Sequence, residues 1–164
     1  MRPMIDEDAI LTGLQAAADD LAREVARLPE AATLWKPSDK DWSQHEVLTH
    51  IWIADHFVFL PRMRAMAEQD RPPLPVIDEV ALQTAEWRAD RARADLLAAF
   101  QADRAAELAL LAAVDWDRPG VHAALGPISI GWVAQYALGH TWEHLSQMLR
   151  VRLMNGVRGP QAAA

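Results

Sequence analysis

The strongest constraint on the fold of this chain is the helical spacing of its apolar residues. From about Asp6 to Leu28, apolar side chains recur every three or four positions, which predicts an amphipathic helix that Pro29 ends. These apolar positions are Ile10, Leu14, Ala17, Leu21, Val25 and Leu28. Alternating Val/Ile runs, the pattern of half-buried strands, are missing, and Ala and Leu dominate. The sequence therefore predicts an all-α protein.

A second helix is predicted from Ser43 to about Gln69. Ser43 and Glu46 have the spacing of a capping box, in which each side chain accepts a hydrogen bond from the backbone N–H of the other residue. Pro61 lies inside this helix. Because proline has no N–H and clashes with the preceding turn, it predicts either a kink near Val58 or a break there.

The next part of the chain predicts a crossover, a third helix and a turn. Residues 71–78 are rich in proline, which favours an extended crossover. A helical pattern then runs from about 78 to 114, with an interruption near 89–93, where apolar residues are scarce. Glycine and proline in residues 115–129 predict a turn that contains a short hairpin.

The last helix is predicted from about Ile130 to Asn155, with Ser129 as its N-cap and Gly156 as its end. Four main helices joined by one long crossover would form a single domain over residues 1–155, and a chain of 164 residues is long enough to bury a sizeable core. Residues 156–164 are predicted to be a disordered tail.

Composition excludes several classes of partner. The net charge is −7 and no basic cluster is present, which argues against a nucleic-acid partner. No run of 18 or more apolar residues exists, so no membrane partner is expected, and the first residues lack the layout of a signal peptide. We therefore expect a cytoplasmic location. Because the chain has no cysteine, any metal site must use histidine, aspartate or glutamate.

Two histidines four positions apart occur in the last helix, in the stretch HTWEH. On an ideal helix His140 and His144 differ in direction by only about 40°, so both can point at one atom. Their stripe also contains Val133, Tyr136, Ala137, Gln147, Met148 and Val151. The pair is predicted to face the core, either as histidines bonded to carbonyls or water or as metal ligands.

A third ligand must come from an earlier part of the chain. The H-x-x-E-H string is similar to the inverted zinc-protease motif, but those enzymes take a further acidic ligand from downstream and no acidic residue follows His144. His45 is expected to be exposed, His122 lies in a loop, and His56 points about 120° away from His50. His50 lies on the inward stripe of the second helix. Three neutral imidazoles leave coordination positions open, as in catalytic sites.

Short motifs in a fixed order connect these histidines. They are W-x-P at Trp35, D-W-S at Asp41–Ser43, E-V-L-x-H at Glu46–His50 and G-H-x-x-x-H-x-x-Q-M at Gly139–Met148. Their order and spacing resemble the DinB-like superfamily of four-helix metal-binding proteins over nearly the whole chain. The resemblance implies an antiparallel four-helix bundle with a long crossover between helices 2 and 3. It also implies that His50, His140 and His144 bind a divalent metal ion in an open pocket.

The resemblance further suggests the cofactors. Members of the family bind zinc, nickel, iron or manganese, and zinc or nickel is the first expectation here, although imidazole ligands alone do not choose among such metals. Related members are thiol-dependent S-transferases or isomerases, so a low-molecular-weight thiol is a second candidate cofactor. The family name refers to induction by DNA damage and does not imply DNA binding.

Two polar residues on the last helix are candidates for supporting roles. Glu143 lies about 60° from His140 and is a candidate catalytic proton acceptor, or else a solvated helix glutamate. Gln147 projects in line with His140 and is a candidate to orient His144 or a water, or else a polar edge residue. Glu46 is explained by the capping box and is not expected to be a ligand.

Several tryptophans have two interpretations. Trp52, Trp132 and Trp142 can wall a substrate pocket, but abundant large aromatics more often anchor a core or an interface. The second interpretation predicts a homodimer formed through a helical face.

Three functional hypotheses follow from these observations. In the first, the protein is a metal-dependent enzyme, a thiol S-transferase or a hydrolase, which acts on a small-molecule substrate. In the second, it is a non-catalytic metal-binding or structural helical-bundle dimer. In the third, the bundle holds no metal and the three histidines are satisfied by hydrogen bonds.

Overall fold

The first helix forms where the apolar spacing predicts it. A computed structural model describes residues 6–158, with side chains described as far as Gly156. Helix α1 (Glu7–Arg27) begins at the N-cap Asp6, whose carboxylate accepts a hydrogen bond from the N–H of Ala9. The apolar stripe of α1 is buried, apart from the half-buried Ile10. The predicted helix from Asp6 to Leu28 is confirmed.

The second helical region has a π-helical segment in its middle. It consists of α2 (Gln44–Ile53), the π segment (Ala54–Phe59) and α3 (Leu60–Glu68). At its start, Ser43 Oγ accepts from the N–H of Glu46 at 3.2 Å, and Glu46 Oε2 accepts from the N–H of Ser43 at 2.8 Å. The predicted capping box is therefore confirmed.

The π segment explains how the chain continues through Pro61. In a regular α-helix the proline ring would clash with the carbonyl of Phe57, and that carbonyl would lose its donor. The structure has a wider turn here, in which the N–H of Leu60 donates to the carbonyl of Asp55, five residues earlier. The predicted distortion near Val58 is thus a local widening within a continuous helical region.

The third predicted helix is divided into two. Helix α4 (Glu79–Glu86) begins at Asp78, which caps it by accepting from the N–H of Ala81, and α5 (Arg93–Leu111) follows after a break at residues 87–92. The interruption predicted near 89–93 is confirmed, and it divides the region into two separate helices. Helix α4 packs on α2, while α5 contacts both α1 and α2.

A small sheet corrects the all-α prediction to a mostly helical fold. Strands β2 (Pro119–His122) and β3 (Gly126–Ser129) form the predicted hairpin, and β1 (Pro73–Leu74), in the crossover, pairs with β2 in parallel. A Cβ atom at Gly120 would lie 2.7 Å from Leu74 Cδ1 and 3.0 Å from Met66 Cγ, so any larger residue there would displace these two buried side chains. Two extended residues between prolines gave no strand signal in the sequence.

The last helix is longer than the sequence predicts. Helix α6 (Ile130–Arg158) continues through Gly156, where the sequence predicts its end. An exposed glycine inside a helix costs only about 1 kcal/mol relative to alanine, so it does not by itself end one. The rest of the predicted tail, residues 159–164, lies outside the described residues. No helix within residues 6–158 combines the length and the apolarity needed to cross a membrane.

Four helices surround the core in the cyclic order α1, α6, α2 and α5, each contacting two others. Two clusters of buried apolar side chains lie between them, the first around Leu14, Phe59, Met63 and Val133, the second around Leu21, Leu48, Phe100 and Met148. This packing confirms a helical bundle. Its antiparallel topology stays a prediction.

Of the three tryptophans considered from the sequence, one is buried and two are exposed. Trp52 is buried in the second core cluster, as expected for a core anchor. Trp132 and Trp142 are exposed on α6, and Trp132 stacks on the exposed Tyr136 at a centroid distance of 5.2 Å. Tyr136 was predicted to face the core, and this prediction is wrong. The homodimer stays a prediction.

A buried arginine joins four parts of the bundle. Arg104 on α5 is 1% exposed and donates to both carboxylate oxygens of Asp55 in the π segment, with the shortest contact at 2.9 Å. It also donates to the carbonyl of Leu14 on α1 at 3.2 Å and to Thr141 Oγ1 on α6 at 2.9 Å. One guanidinium therefore fixes the relative positions of α1, the π segment, α5 and α6.

Two buried carboxyl groups share this arginine. Glu107 Oε2 lies 3.0 Å from Arg104 Nε, and both Glu107 and Asp55 are fully buried. Burial raises the pKa of Asp55 to about 6, against the opposing effect of Arg104. Burial and the nearby charge of Asp55 raise the pKa of Glu107 well above its usual range. A single guanidinium does not fully compensate two ionised carboxylates.

We predict that Arg104→Met lowers the free energy of unfolding by about 3–5 kcal/mol, because it leaves two buried carboxyl groups without a cation. The matched control is Arg23→Met on α1, where the side chain is 59% exposed and the change should stay within about 0.5 kcal/mol. Urea unfolding measures both values. Equal effects of the two substitutions would contradict the structural role of Arg104.

We predict that Glu107→Gln becomes more stable relative to the parent protein as pH rises. The pKa of Glu107 is raised in the folded state, so its carboxyl stabilises the fold at low pH and this contribution is lost as pH rises through the folded-state pKa. The glutamine has no proton to lose. Urea unfolding from about pH 5 to about pH 8 tests this against the exposed control Glu68→Gln. A stability difference that does not change with pH would contradict it.

Candidate metal centre

Three histidines meet between α2 and α6. His50 lies near the end of α2, and His140 and His144 lie one turn apart on α6. Nε2 of His50 is 3.1 Å from Nε2 of His140, and one nitrogen from each of the three rings lies within 4.8 Å of the others. The cluster predicted from the sequence is therefore present in the structure.

Local sequence places each ring on the inward side of its helix. The capping box fixes the start of α2, and His50 then falls on a buried face with Val47 and Ile51. On α6, Ala137 and Met148 are fully buried along the side that carries the two histidines. Because α2 and α6 pack directly together, their inward histidines face each other.

The cluster is largely shielded from water. His50 is 7% exposed and His140 is 9% exposed, while His144 is half-buried. Burial, together with the neighbouring His144, lowers the pKa of His50 to about 4. Burial and the charges of the adjacent histidines and of Arg104 lower the pKa of His140 to about 3. Both imidazoles are therefore neutral at pH 7, the state in which histidine binds metals.

Gln147 orients the third imidazole. Nδ1 of His144 lies 2.8 Å from Oε1 of Gln147, one turn further along α6. Since an amide oxygen only accepts, the ring must donate from Nδ1, which leaves a lone pair on Nε2. The interaction predicted for Gln147 is confirmed, and it has the form of the outer contacts that orient metal-binding histidines.

Two nitrogens of the histidine cluster lack a hydrogen-bond partner among the described residues. They are the buried Nδ1 atoms of His50 and His140. Buried polar atoms without partners are rare in folded proteins and need a specific explanation. The nitrogens of these two rings that face each other are the Nε2 atoms, 3.1 Å apart, and neutral imidazoles that direct lone pairs at one point fit a divalent cation, which binds several lone pairs at once.

Two aromatic residues that sequence reasoning did not assign to the site cover the histidines. The ring centroid of Trp42 lies 5.0 Å from that of His50 and 6.4 Å from that of His144. Phe59, in the π segment, packs against His140 at 5.4 Å. Trp42 belongs to the D-W-S motif just before α2, and this motif was the signal available for it. Phe59 gave no signal apart from its apolar character.

A carboxylate also approaches the cluster. Oε2 of Glu79, the first residue of α4, lies 3.6 Å from Nε2 of His50, and its side chain is 34% exposed. Sequence reasoning missed Glu79 because the placement of α4 depends on tertiary packing. The predicted crossover, residues 71–78, ends directly before Glu79. The sequence alone did not show that the start of the following helix would lie beside the histidines.

A cavity of about 320 Å³ lies beside this cluster. Two of its walls, Trp42 and Gln147, lie against His144. The other lining residues are Pro37, Ser38, Asp41, Arg150, Val151 and Met154. None of the three histidines is among these lining residues, so Trp42 and Gln147 lie between the cavity and His144.

The two glutamates considered from the sequence lie elsewhere. Glu143 is exposed on α6 and does not belong to the converging set of ligand atoms. Its catalytic role stays a prediction. Glu46 completes the capping box and forms an ion pair with Lys36 at 2.9 Å, so its exclusion from the ligand set agrees with the structure.

The remaining histidines have other partners. His45 was expected to be exposed, but it is 2% exposed. Its Nε2 contacts the carbonyl of Arg91 at 2.7 Å and its Nδ1 accepts from Trp87 Nε1 at 3.1 Å, because the break between α4 and α5 folds over the start of α2. His56 pairs with Asp103 at 2.9 Å on the surface.

Solved structures share this fold. The chain aligns with YfiT from Bacillus subtilis, described as a probable metal-dependent hydrolase with an unusual four-helix bundle topology, with a TM-score of 0.80 and 16% identity over 95% of this chain and 92% of that one. It aligns with TT2238, a four-helix bundle protein, with a TM-score of 0.64 and 18% identity over 88% and 98% of the two chains. These identities establish a common fold.

A third similar structure is a mycothiol-dependent maleylpyruvate isomerase. Its TM-score is 0.68 at 11% identity, over 87% of this chain and 60% of the isomerase. No curated protein matches the chain in sequence. The model of the DinB superfamily matches residues 14–148, a range that contains all three histidines.

We predict that the neutral ring of His144 carries its proton on Nδ1 in the metal-free protein, because Gln147 offers it an acceptor. Nitrogen-15 NMR of the imidazoles reports the protonated nitrogen. In Gln147→Leu this preference should be lost, while Gln135→Leu on the same helix should preserve it, since Gln135 donates to the carbonyl of Gly131. A proton on Nε2 in the parent protein would contradict the assignment.

Proposed function

This chain belongs to the DinB superfamily, and on that premise we propose that it binds one divalent metal ion through His50, His140 and His144. The observation that carries the proposal is the convergence of three imidazole nitrogens within 4.8 Å of one another. Core histidines satisfied by hydrogen bonds would each need an acceptor or donor of their own. Here the Nε2 atoms of His50 and His140 instead face each other at 3.1 Å.

The donor set favours a catalytic centre. Three imidazoles leave part of the coordination sphere free, and such an ion supplies Lewis acidity and lowers the pKa of a bound water or thiol toward neutrality. The chain's own residues orient and shield this centre. Gln147 holds the ring of His144, while Trp42 and Phe59 cover the cluster and limit the access of bulk water.

The proposed reaction is metal-dependent hydrolysis of a small molecule bound in the cavity beside His144. This choice is supported by the similarity to YfiT, a probable metal-dependent hydrolase, which aligns over nearly the full length of both chains. Zinc or nickel is the proposed ion, because both bind imidazole well.

Thiol transfer is the second candidate reaction. It is supported by the fold shared with the mycothiol-dependent isomerase, although this chain spans only 60% of that protein. In this case a low-molecular-weight thiol would enter the same cavity, and a neutralising metal ion would stabilise its thiolate. A non-catalytic metal-binding protein is the outcome if neither reaction occurs.

We predict one zinc or nickel ion per chain in the parent protein and its loss in His50→Ala, His140→Ala and His144→Ala. Each substitution removes one of three lone pairs that converge on a common point. Elemental analysis after dialysis against the metal measures the stoichiometry. The controls are His56→Ala and His122→Ala, which lie outside the cluster and should retain the ion.

Activity is tested on the same proteins. The metal-loaded parent should hydrolyse members of a panel of small esters and amides, and a chelator should abolish the reaction, which the metal should then restore. A parallel panel with low-molecular-weight thiols distinguishes thiol transfer. Full metal loading with no turnover in either panel would contradict the enzymatic proposal. The protein would then be a non-catalytic metal-binding protein. Absence of metal from the parent would contradict the site itself.

A further inference from the structure

We propose that Glu79 is the fourth protein ligand of the metal centre, so that α4 supplies a carboxylate to an ion held by α2 and α6. This inference rests on the metal site proposed above. Its basis is the position of Glu79 Oε2, which lies 3.6 Å from Nε2 of His50. The same nitrogen of His50 also faces His140.

The packing of α4 on α2 directs this carboxylate to the site. Gln83 Nε2 donates to the carbonyl of Glu46 at 3.0 Å. Glu79, four residues before Gln83 on α4, contacts His50, four residues after Glu46 on α2. Residues four apart lie on one helical face, so the two contacts belong to one interface in which the helices run in opposite directions. Glu79 therefore faces the histidines as part of a defined register between two helices.

Further contacts hold α4 in this register. Its N-cap Asp78 accepts from Ala81, which fixes the start of the helix one residue before Glu79. Just past its end, the indole of Trp87 donates to the buried His45 of α2 at 3.1 Å. Both ends of α4 are thus secured, and the start of the helix is kept beside the histidine cluster.

The distances are those of ligands around one ion. With metal–ligand bonds of about 2.0–2.1 Å and angles of about 90–120°, neighbouring ligands of a five-coordinate ion are about 2.9–3.6 Å apart, and such an ion keeps one position open beside four protein ligands. The contact of Glu79 with His50 at 3.6 Å and the contact of His50 with His140 at 3.1 Å are close to this range. The carboxylate lies outside the set within 4.8 Å, and its side-chain torsions can turn it toward the shared point.

Charge supports the same assignment. Three neutral imidazoles leave the two positive charges of the ion uncompensated in a largely buried site, and a carboxylate reduces this cost. Among the described residues, Glu79 forms no ion pair with an arginine or a lysine. Burial lowers the pKa of Arg62, against the opposing charge of Glu79, and the Arg62 guanidinium donates to the carbonyl of Pro75. The carboxylate is therefore free to compensate the ion.

A simpler role for Glu79 is interaction with the positive end of α4, where acidic residues are common. That role would affect only helix stability, by about 0.3–1 kcal/mol. A ligand would instead change the affinity of the site and the spectrum of a bound ion. These readouts distinguish the two roles without any enzymatic assay.

The experiment uses the full chain loaded with cobalt(II), and zinc affinity measured by competition with a chromophoric chelator. Glu79→Gln keeps the shape of the side chain and removes its charge. We expect its dissociation constant for zinc to rise about tenfold to a hundredfold and the cobalt d–d bands to shift. Glu86→Gln, at the other end of α4, is the matched control and should change neither value.

Each other outcome has a definite meaning. Unchanged zinc affinity in Glu79→Gln, or a weaker affinity with an unchanged cobalt spectrum, would overturn the proposal that Glu79 is a ligand. A loss of affinity in Glu143→Gln but not in Glu79→Gln would overturn it in favour of the carboxylate on α6. If the parent protein binds no metal, the metal site fails as a whole, which separates the two failures.

Discussion

The position of the histidine cluster depends on the buried guanidinium of Arg104. It bonds to α1 through the carbonyl of Leu14, to the π segment through Asp55 and to α6 through Thr141. Because Thr141 directly follows His140, this network fixes the part of α6 that carries the cluster. A buried cation with several charge-assisted hydrogen bonds tolerates few alternative arrangements, so it favours one packing of the helices.

The histidine cluster could be predicted from the sequence because its geometry is largely a property of single helices. Four residues separate His140 and His144, which places both rings on one face whatever the rest of the fold does. His50 lies on the buried stripe of its own helix, and Gln147 is one turn from His144. The first helix and the capping box were predictable for the same reason, since their signals are local.

The missed features all depend on contacts between elements distant in sequence. Arg104 is a charged residue in an otherwise amphipathic helix, and only the packed structure shows that it is surrounded by partners on three other elements. Glu79 and Trp42 reach the cluster from separate segments. The strand β1 exists because it lies against β2, and its own two residues carry no β pattern.

The most direct test of the metal centre is X-ray absorption at the zinc edge of the zinc-loaded protein. Imidazole rings give a characteristic multiple-scattering pattern, so the spectrum counts the histidines bound to the ion. We predict three imidazoles at about 2.0–2.1 Å, with lighter oxygen donors in the remaining positions. A spectrum that shows one imidazole, or none, would contradict the convergence of His50, His140 and His144 on a single ion.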